Sequence, residues 1–488
     1  MVELLERTSD SVKHKTLWRY GGFLFSVGGA RVAGILISSL TFPYLVRHLG
    51  VQIYGLWSYV VAICAFVGIV ADFGLTTYTT QQLAARRELA FEIIPDFLAL
   101  RFLSAVIAGG VLLLIAFFEV RRDVRQLLCL YGIGLLLVNL ISSNSFLQAL
   151  EMFHARSLLT VAQQALYALA IITFVRGPAD VAWVPIAILV SSAISGIAGW
   201  TLMWRRGFRV RFILRPERWK AILVPGAHYA LASLMSNVYQ KTGHLLVRWF
   251  LGDYALGLYS AAVRLVDLLR GFVIMILHVL MPRLALAARS EAALNRLARI
   301  AFGVVAVISI PMTAGLISAA HLVVPWILGA QYLDDISLLK WMAPYLIGAS
   351  AASLFAGTIL YAMGRHRSYL TCTISGALAG TLLYLILIPT MGLKGAALAL
   401  VLSEFVVAAA GFASLPQGLR ILWKSPIILV ALAAALLMVV AVRSIGASVP
   451  KVSVVIPAGV LIYAVSCGWF VRNWLVDQFG NLSDAPGT

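Results

Sequence analysis

Four positively charged side chains occur inside apolar stretches of the sequence, where an ion is costly. They are Arg31 in the first stretch, Lys241 in the seventh, and Arg264 and Arg270 in the eighth. Charged groups at membrane depth face a wet cavity or a countercharge, and they commonly mark the path of a substrate or an ion. We therefore predict that these four cations line a cationic substrate pathway.

A nearby carboxylate supports a purely structural alternative. Asp267 is three residues from both Arg264 and Arg270, so on a helix it can pair with either of them. One carboxylate cannot neutralise both cations, which leaves the pathway interpretation open. Arg101, near one end of the third apolar stretch, is expected to extend its head group to the membrane surface.

Two further carboxylates are candidates for binding a coupling ion. Glu404 lies near the centre of a late apolar stretch, and Asp72 lies at the end of the second. Either could bind H+ or Na+, because a membrane-embedded carboxylate can hold a proton. The structural interpretation is preferred for both: a hydrogen bond between helices for Glu404, and a cap for the helix beginning at Leu75 for Asp72.

Sequence signatures of enzymes are missing. The chain has no H-E-x-x-H, G-x-S-x-G, Walker or G-x-G-x-x-G motif, and no polar connection exceeds about 20 residues. His228, His244 and His278 share no spacing typical of metal ligands. We therefore predict no catalytic residues, no metal site, no cofactor and no enzyme activity.

The elements that must position the charged groups are membrane-spanning helices. The chain has 488 residues, of which 61% are hydrophobic, and a spanning helix needs about 20 apolar residues. The apolar runs are continuous rather than alternating, which excludes a barrel. An all-α polytopic protein is predicted, with fourteen spanning segments near residues 20–45, 55–77, 97–118, 126–150, 157–175, 182–204, 222–245, 256–281, 300–327, 338–363, 368–389, 395–414, 427–442 and 452–471.

The distribution of the net charge of +18 predicts the orientation in the membrane. Over alternate connections, Lys and Arg are more than twice as numerous on the side of the N-terminus, so both termini are predicted to be cytoplasmic. The most basic connection, residues 205–220, is expected to contact anionic lipids and not nucleic acid.

An internal repeat divides the chain. Gly50-x4-Gly55-Leu-Trp-Ser recurs 202 residues later as Gly252-x4-Gly257-Leu-Tyr-Ser, and each copy opens an even-numbered segment. Six segments separate the copies, so the halves have the same orientation and are expected to be related by an axis along the membrane normal. The predicted parts are an N-lobe (1–204), a basic linker (205–221), a C-lobe (222–414) and a region with two further segments (415–488).

Over residues 17 to 414, approximately, the sequence resembles the polysaccharide exporters and lipid-linked oligosaccharide flippases of the multidrug/oligosaccharidyl-lipid/polysaccharide (MOP) superfamily. The order and spacing of several short motifs carry the resemblance: Phe42–Arg47, Asp72–Leu75, Gly257–Ala262, Met281–Leu284, Leu360–Arg365, Gly392–Ala397 and Ser403-Glu404.

The resemblance implies a bacterial inner-membrane flippase. Such a protein moves an undecaprenyl-diphosphate-linked oligosaccharide to the periplasmic leaflet by alternating access, for surface polysaccharide such as O-antigen or capsule. Fixed cations in the pathway would suit the negative charges of a diphosphate.

Two other functions are compared with this one. A cation-coupled multidrug or small-molecule antiporter of the same fold would be expected to have a more acidic pathway. A membrane polysaccharide polymerase or ligase would need a large periplasmic loop, and the predicted periplasmic connections are all short.

Overall fold

The computed structural model of the protein describes residues 2–85, 90–150, 152–207, 215–419, 425–448 and 451–480, and these ranges contain helices and no strand. The helices are α1 (Val2–Asp72), α2 (Leu75–Ala85), α3 (Ala90–Phe118), α4 (Arg122–Ile141), α5 (Asn144–Ala149), α6 (Phe153–Phe174), α7 (Trp183–Arg205), α8 (Pro216–Ala287), α9 (Glu291–Ile327), α10 (Asp335–Met342), α11 (Tyr345–Leu354), α12 (His366–Ala413), α13 (Ile427–Ser448) and α14 (Val452–Gly480). Short 3-10 helices cover Pro178–Ala182 and Ala330–Tyr332, and a π-helix covers Phe355–Leu360. The prediction of an all-α polytopic protein is confirmed.

Three long helices are divided by a glycine. Within the described ranges, eleven helical stretches are long and apolar enough to cross a membrane. The stretch in α8 has 69 residues, about 100 Å of helix against a hydrocarbon core of about 30 Å, so it must cross more than once. Gly50, Gly252 and Gly392 have φ of 74°, 84° and 59° and divide α1, α8 and α12. Eleven stretches with three divisions are compatible with the fourteen predicted segments.

The chain forms two compact units. Unit 1 contains residues 1–49 and 60–234, and unit 2 contains residues 50–59 and 235–488. A core of buried apolar side chains in unit 1 joins α2, α3, α5 and α7, with Phe97 and Phe146 edge to face at 5.2 Å. A core in unit 2 joins α8, α9, the π-helix and α12 around Phe355. The boundaries predicted for the lobes and the linker stay a prediction.

The two copies of the glycine motif lie against each other within unit 2. A Cβ atom added to Gly55 would overlap the carbonyl oxygen of Asp253, and one added to Gly257 would overlap that of Val51. Val51 and Asp253 occupy the same position in the two copies, so the contact is reciprocal. Only glycine permits two backbones to approach this closely, which gives the repeat a physical reason.

An ion pair and a ring reinforce this contact. Arg248 Nε lies 2.7 Å from Asp253 Oδ1, and both side chains are largely buried. The Arg248 guanidinium also lies 3.6 Å from the centre of the Tyr59 ring. Tyr59, which follows the first copy, thereby contacts Arg248, which precedes the second copy. The part of α8 after Gly252, which carries Arg264 and Arg270, begins from this fixed point.

Candidate functional site

Most of the charged residues singled out in the sequence lie together in unit 2. We call this set the polar cluster: Lys241, Arg264, Asp267, Arg270, Tyr345 and Glu404. The first four belong to α8, on the two sides of Gly252, while Tyr345 begins α11 and Glu404 lies in α12. Arg264, Asp267 and Arg270 are spaced by three residues, which places neighbours on one face of a helix.

Tyr345 connects the acidic and basic side chains of α8. Its hydroxyl donates a hydrogen bond to Asp267 Oδ1 at 2.8 Å and accepts one from Arg270 Nη1 at 2.7 Å. Arg270 Nη1 is 3.7 Å from Asp267 Oδ1, and Arg270 Nη2 donates to Ser353 Oγ at 3.4 Å. The structural alternative therefore applies to Arg270, which has partners on both α8 and α11.

Glu404 lies against this group from α12. Its side chain is 3% exposed, and a Cβ atom added to Gly348 of α11 would lie 3.2 Å from Glu404 Cβ. The close approach of α11 and α12 buries the carboxylate, which interacts electrostatically with Arg270 and Tyr239. Arg270 therefore interacts with the charges of both Asp267 and Glu404.

Lys241 and Arg264 differ from Arg270 in their partners. Neither forms a hydrogen bond or an ion pair with another residue whose side chain the structure describes. Lys241 is half-buried and interacts electrostatically with Asp267 and Arg264, whereas Arg264 is exposed. Three cations and two carboxylates make the polar cluster net positive, and Lys241 and Arg264 are its cations that form no ion pair in the described ranges. This arrangement can bind an anion with two or more negative oxygens.

A buried aromatic group fixes the backbone next to Lys241. A Cβ atom added to Gly243 would lie 2.6 Å from Tyr384 Cζ and 2.7 Å from the Tyr259 hydroxyl oxygen. The hydroxyls of Tyr259 and Tyr384 are hydrogen-bonded at 2.9 Å, and His244 lies edge-on to Tyr259 at 5.3 Å between ring centres. Gly243 lets the first half of α8 pack directly on these rings, so the position of Lys241 is set by packing.

Arg101 in unit 1 has a different environment from the one expected. It is 3% exposed, its Nε donates to Asn139 Oδ1 at 2.9 Å, and its Nη1 donates to the Ser142 carbonyl at 3.1 Å. The prediction that Arg101 extends to the membrane surface is wrong. The polar amide and the free carbonyl at the end of α4 offer the guanidinium partners inside the protein, which replace those of water.

Asp72 and Arg31 complete the set of predicted residues. Asp72 Oδ1 accepts hydrogen bonds from the backbone N–H of Thr76, at 3.3 Å, and from its hydroxyl. Asp72 therefore caps the start of α2, as the structural interpretation expects. The side chain of Arg31 lies outside the part of the chain that the structure describes.

Tyrosines are the site residues that the sequence analysis missed. Tyr345, Tyr259 and Tyr384 are each less than 5% exposed and lie in stretches predicted to span the membrane. Tyrosine in spanning helices is enriched at the membrane surface, so a buried tyrosine hydroxyl within a stretch is a usable signal of a polar partner. As for metal ions, no three His, Cys, Asp or Glu side chains come together among the residues of the described ranges.

Residues 24–288, more than half of the chain, match the protein family described as "Polysaccharide biosynthesis protein". A protein of Escherichia coli (strain K12) described as a candidate O-antigen transporter is 20% identical over 381 residues. The match covers 76% of this chain and 91% of that protein.

Two solved structures show what the fold is similar to. The lipid II flippase MurJ in an inward closed conformation matches with a TM-score of 0.75 at 15% identity, covering 93% of this chain and 99% of that chain. An inward-facing MATE multidrug-resistance transporter of the MOP superfamily matches with a TM-score of 0.64 at 17% identity, covering 82% and 99%. The predicted MOP-superfamily fold is confirmed. At these identities the likeness concerns the fold and leaves the substrate to be argued from the site.

Proposed function

Because the chain belongs to the polysaccharide biosynthesis protein family, we propose that it is a flippase for undecaprenyl-diphosphate-linked oligosaccharides. It moves these units across the bacterial inner membrane by alternating access, for O-antigen, capsule or exopolysaccharide. The observation that carries this proposal is the pair of cations that form no hydrogen bond or ion pair in the described part of the chain, Lys241 and Arg264, beside Arg270, which donates to Tyr345.

The diphosphate is the group that most needs the protein during transport. Its negative charges cannot enter hydrocarbon unless fixed cations replace the water around them. A hydrogen bond to a charged group contributes about 1.5–3 kcal/mol, so two free cations can offset a substantial part of this cost. The lipid tail needs no such interaction, because it is apolar and stays in the apolar interior of the membrane.

The positive sign of the polar cluster also separates this function from the alternatives. A multidrug antiporter that binds organic cations would benefit from free carboxylates, whereas Asp267 and Glu404 interact with Arg270. The described connections between helices are short, which disfavours a polymerase or a ligase with a large catalytic loop. The proposal includes an orientation with both termini in the cytoplasm, basic connections on anionic lipids, and binding of H+ or Na+ at Glu404 or Asp72.

The decisive experiment measures binding to the purified protein in nanodiscs with two ligands that share a sugar. One ligand is an undecaprenyl-diphosphate-linked sugar, and the other is a neutral undecaprenyl glycoside. We expect Lys241→Gln/Arg264→Gln to weaken binding of the diphosphate about 100-fold, since two charge-assisted hydrogen bonds are lost. Binding of the neutral ligand should stay within about twofold.

The matched control is Arg283→Gln, an exposed cation on the same helix, which should bind both ligands like the wild type. Equal binding of the diphosphate ligand by the double variant and the wild type would contradict the proposal. Tighter binding of organic cations than of the diphosphate would favour the antiporter. In cells, Arg31→Ala should abolish export of surface polysaccharide without changing the amount of protein in the membrane, and normal export would remove Arg31 from the pathway.

A further inference from the structure

Asp335, the first residue of α10, is a buried carboxylate without a hydrogen-bond partner in the part of the chain that the structure describes. Its side chain is 0% exposed, and neither carboxylate oxygen has a hydrogen-bond partner in the described ranges. The preceding residue, Asp334, is exposed and lies 3.5 Å from the hydroxyl of Tyr254. Two adjacent aspartates in the connection between α9 and α10 therefore have opposite environments.

A second buried polar group lies near Asp335. The Tyr332 side chain is also 0% exposed, its hydroxyl has no hydrogen-bond partner in the part of the chain described, and it interacts electrostatically with Asp335. A Cβ atom added to Gly50 would lie 3.6 Å from Gln331 Oε1, so this connection packs on the first copy of the glycine motif. Asp335 and Tyr332 are thus two interacting buried polar groups in unit 2, neither of which has a hydrogen-bond partner for its side-chain oxygen atoms among the described residues.

The described surroundings of Asp335 offer its carboxylate no hydrogen bond. The charged group that acts on it is the anion of Asp334, and Tyr332 is in turn influenced by Tyr54 and Tyr254. The helices packed against α10 are α9 and α12, and among described residues they supply no cation that acts on Asp335. An ionised carboxylate buried without a partner costs several kcal/mol, and the group avoids this cost by remaining protonated.

The shortage of oxygen atoms favours a proton over a metal ion. Hard cations such as Ca2+ and Mg2+ take about six or more oxygen ligands, whereas Asp335 and Tyr332 offer one carboxylate and one phenol. A proton needs a single oxygen atom and no further space.

We propose that Asp335 is a proton-binding site, which holds a proton while the connection between α9 and α10 is packed and releases it to water when that connection opens. On the predicted topology this connection faces the periplasm, so a periplasmic proton would favour its closed form. That coupling to transport rests on the proposed function, whereas the binding of the proton does not.

Infrared spectroscopy of the purified protein in nanodiscs, without substrate, tests the site directly. At pH 7 we expect a C=O band of a protonated carboxylic acid that shifts on exchange into D2O. Asp335→Asn should lose this component, because the amide keeps the shape of the side chain but cannot ionise. Asp334→Asn, the same change at the adjacent exposed position, should retain it. A spectrum of the wild type without any protonated carboxylic acid overturns the proposal, and so does an Asp335→Asn spectrum identical to that of the wild type.

Thermal unfolding over a pH series gives a second measurement. In the unfolded chain, Asp335 releases its proton above the ordinary aspartate pKa of about 3.9. If the folded protein still holds this proton, the free energy of unfolding falls as the pH rises. The unfolding temperature of the wild type and of Asp334→Asn should therefore fall with pH in a component that Asp335→Asn lacks. An identical pH dependence in Asp335→Asn contradicts the proposal.

Sodium supplies the competing explanation. Replacement of choline chloride by NaCl at constant pH should leave the unfolding temperature unchanged. A rise in the wild type that is absent in Asp335→Asn would assign the site to Na+ and overturn the assignment to a proton. Neither measurement uses a lipid-linked sugar, so a failure of the flippase proposal leaves both results interpretable.

Discussion

Arg101 in unit 1 and Arg264 in unit 2 both lie in apolar stretches, yet they have opposite environments. Arg101 is buried and donates to Asn139 and to the carbonyl of Ser142, while Arg264 is exposed and has no ion pair or hydrogen bond in the described ranges. The depth of a cation in a span therefore does not identify it as functional. Its hydrogen-bond partners are the better indicator, because a guanidinium that already donates to protein groups has fewer donors left for a substrate.

Arg270 is an intermediate case. It donates hydrogen bonds to Tyr345 and Ser353, and it interacts with the charges of Asp267 and Glu404. Such a residue contributes to the positive field of the polar cluster, but both of its terminal nitrogens already donate to protein side chains, and only Nε has no hydrogen-bond partner in the described ranges. We therefore infer that Arg270 positions the second half of α8 against α11, and that Lys241 and Arg264 contact the anion.

The largest effect on stability is expected from removing the partner of Arg101. Asn139→Leu should lower the free energy of unfolding by about 3 kcal/mol, because it leaves a buried charge with unsatisfied donors. Binding of the diphosphate ligand by the folded fraction should be unchanged. Reversible unfolding in mixed micelles measures the first quantity.

A double variant is the control for this change. Arg101→Met/Asn139→Leu should recover much of the loss, since replacing both partners by apolar groups removes the unpaired charge. If the double variant is as unstable as Asn139→Leu, the loss of stability arises from packing. That result would contradict the view that pairing distinguishes Arg101 from Arg264.

A smaller effect, on binding, is expected from removing the counter-ion of Arg270. Asp267→Asn keeps an acceptor for the Tyr345 hydroxyl but removes one negative charge beside Lys241 and Arg270. Affinity for the diphosphate ligand should rise roughly tenfold, or about 1.4 kcal/mol. Titration in nanodiscs at low and high salt checks this, because the gain should shrink as salt screens the charges. A weaker affinity would mean that Asp267 itself belongs to the substrate site.

The smallest effect is expected from Tyr345→Phe. This change removes the hydroxyl that joins Arg270 to Asp267 and should lower the free energy of unfolding by about 0.6–1 kcal/mol. Diphosphate affinity should remain within about twofold, because neither Lys241 nor Arg264 loses a partner. Tyr361→Phe, at an exposed tyrosine, serves as the control and should change neither quantity. A large loss of affinity in Tyr345→Phe would place this tyrosine in contact with the substrate.

Local features of the sequence predicted the helical fold and its membrane-spanning character. Continuous apolar runs of about 20 residues predicted the spanning segments, and the repeated glycine motif predicted two related parts. The reciprocal contact of Gly55 and Gly257 explains that repeat, but the sequence could not indicate that the two copies touch. The prediction for Arg101 was wrong for the same reason, because its partner Asn139 is 38 residues away in another helix.

The sequence by itself determined that this protein is helical, spans a membrane and carries cations in its apolar stretches. Apolar runs and the backbone hydrogen bonds of a helix involve residues that are close together in the sequence. Only the tertiary structure decided which cations form hydrogen bonds or ion pairs with other described residues. Tyr345 is 75 residues from Arg270 and 78 from Asp267, so their bonds form only after the helices pack. Pairing between distant side chains depends on that packing, and it leaves Lys241 and Arg264 unpaired in the described chain while it buries Asp335 without a partner there.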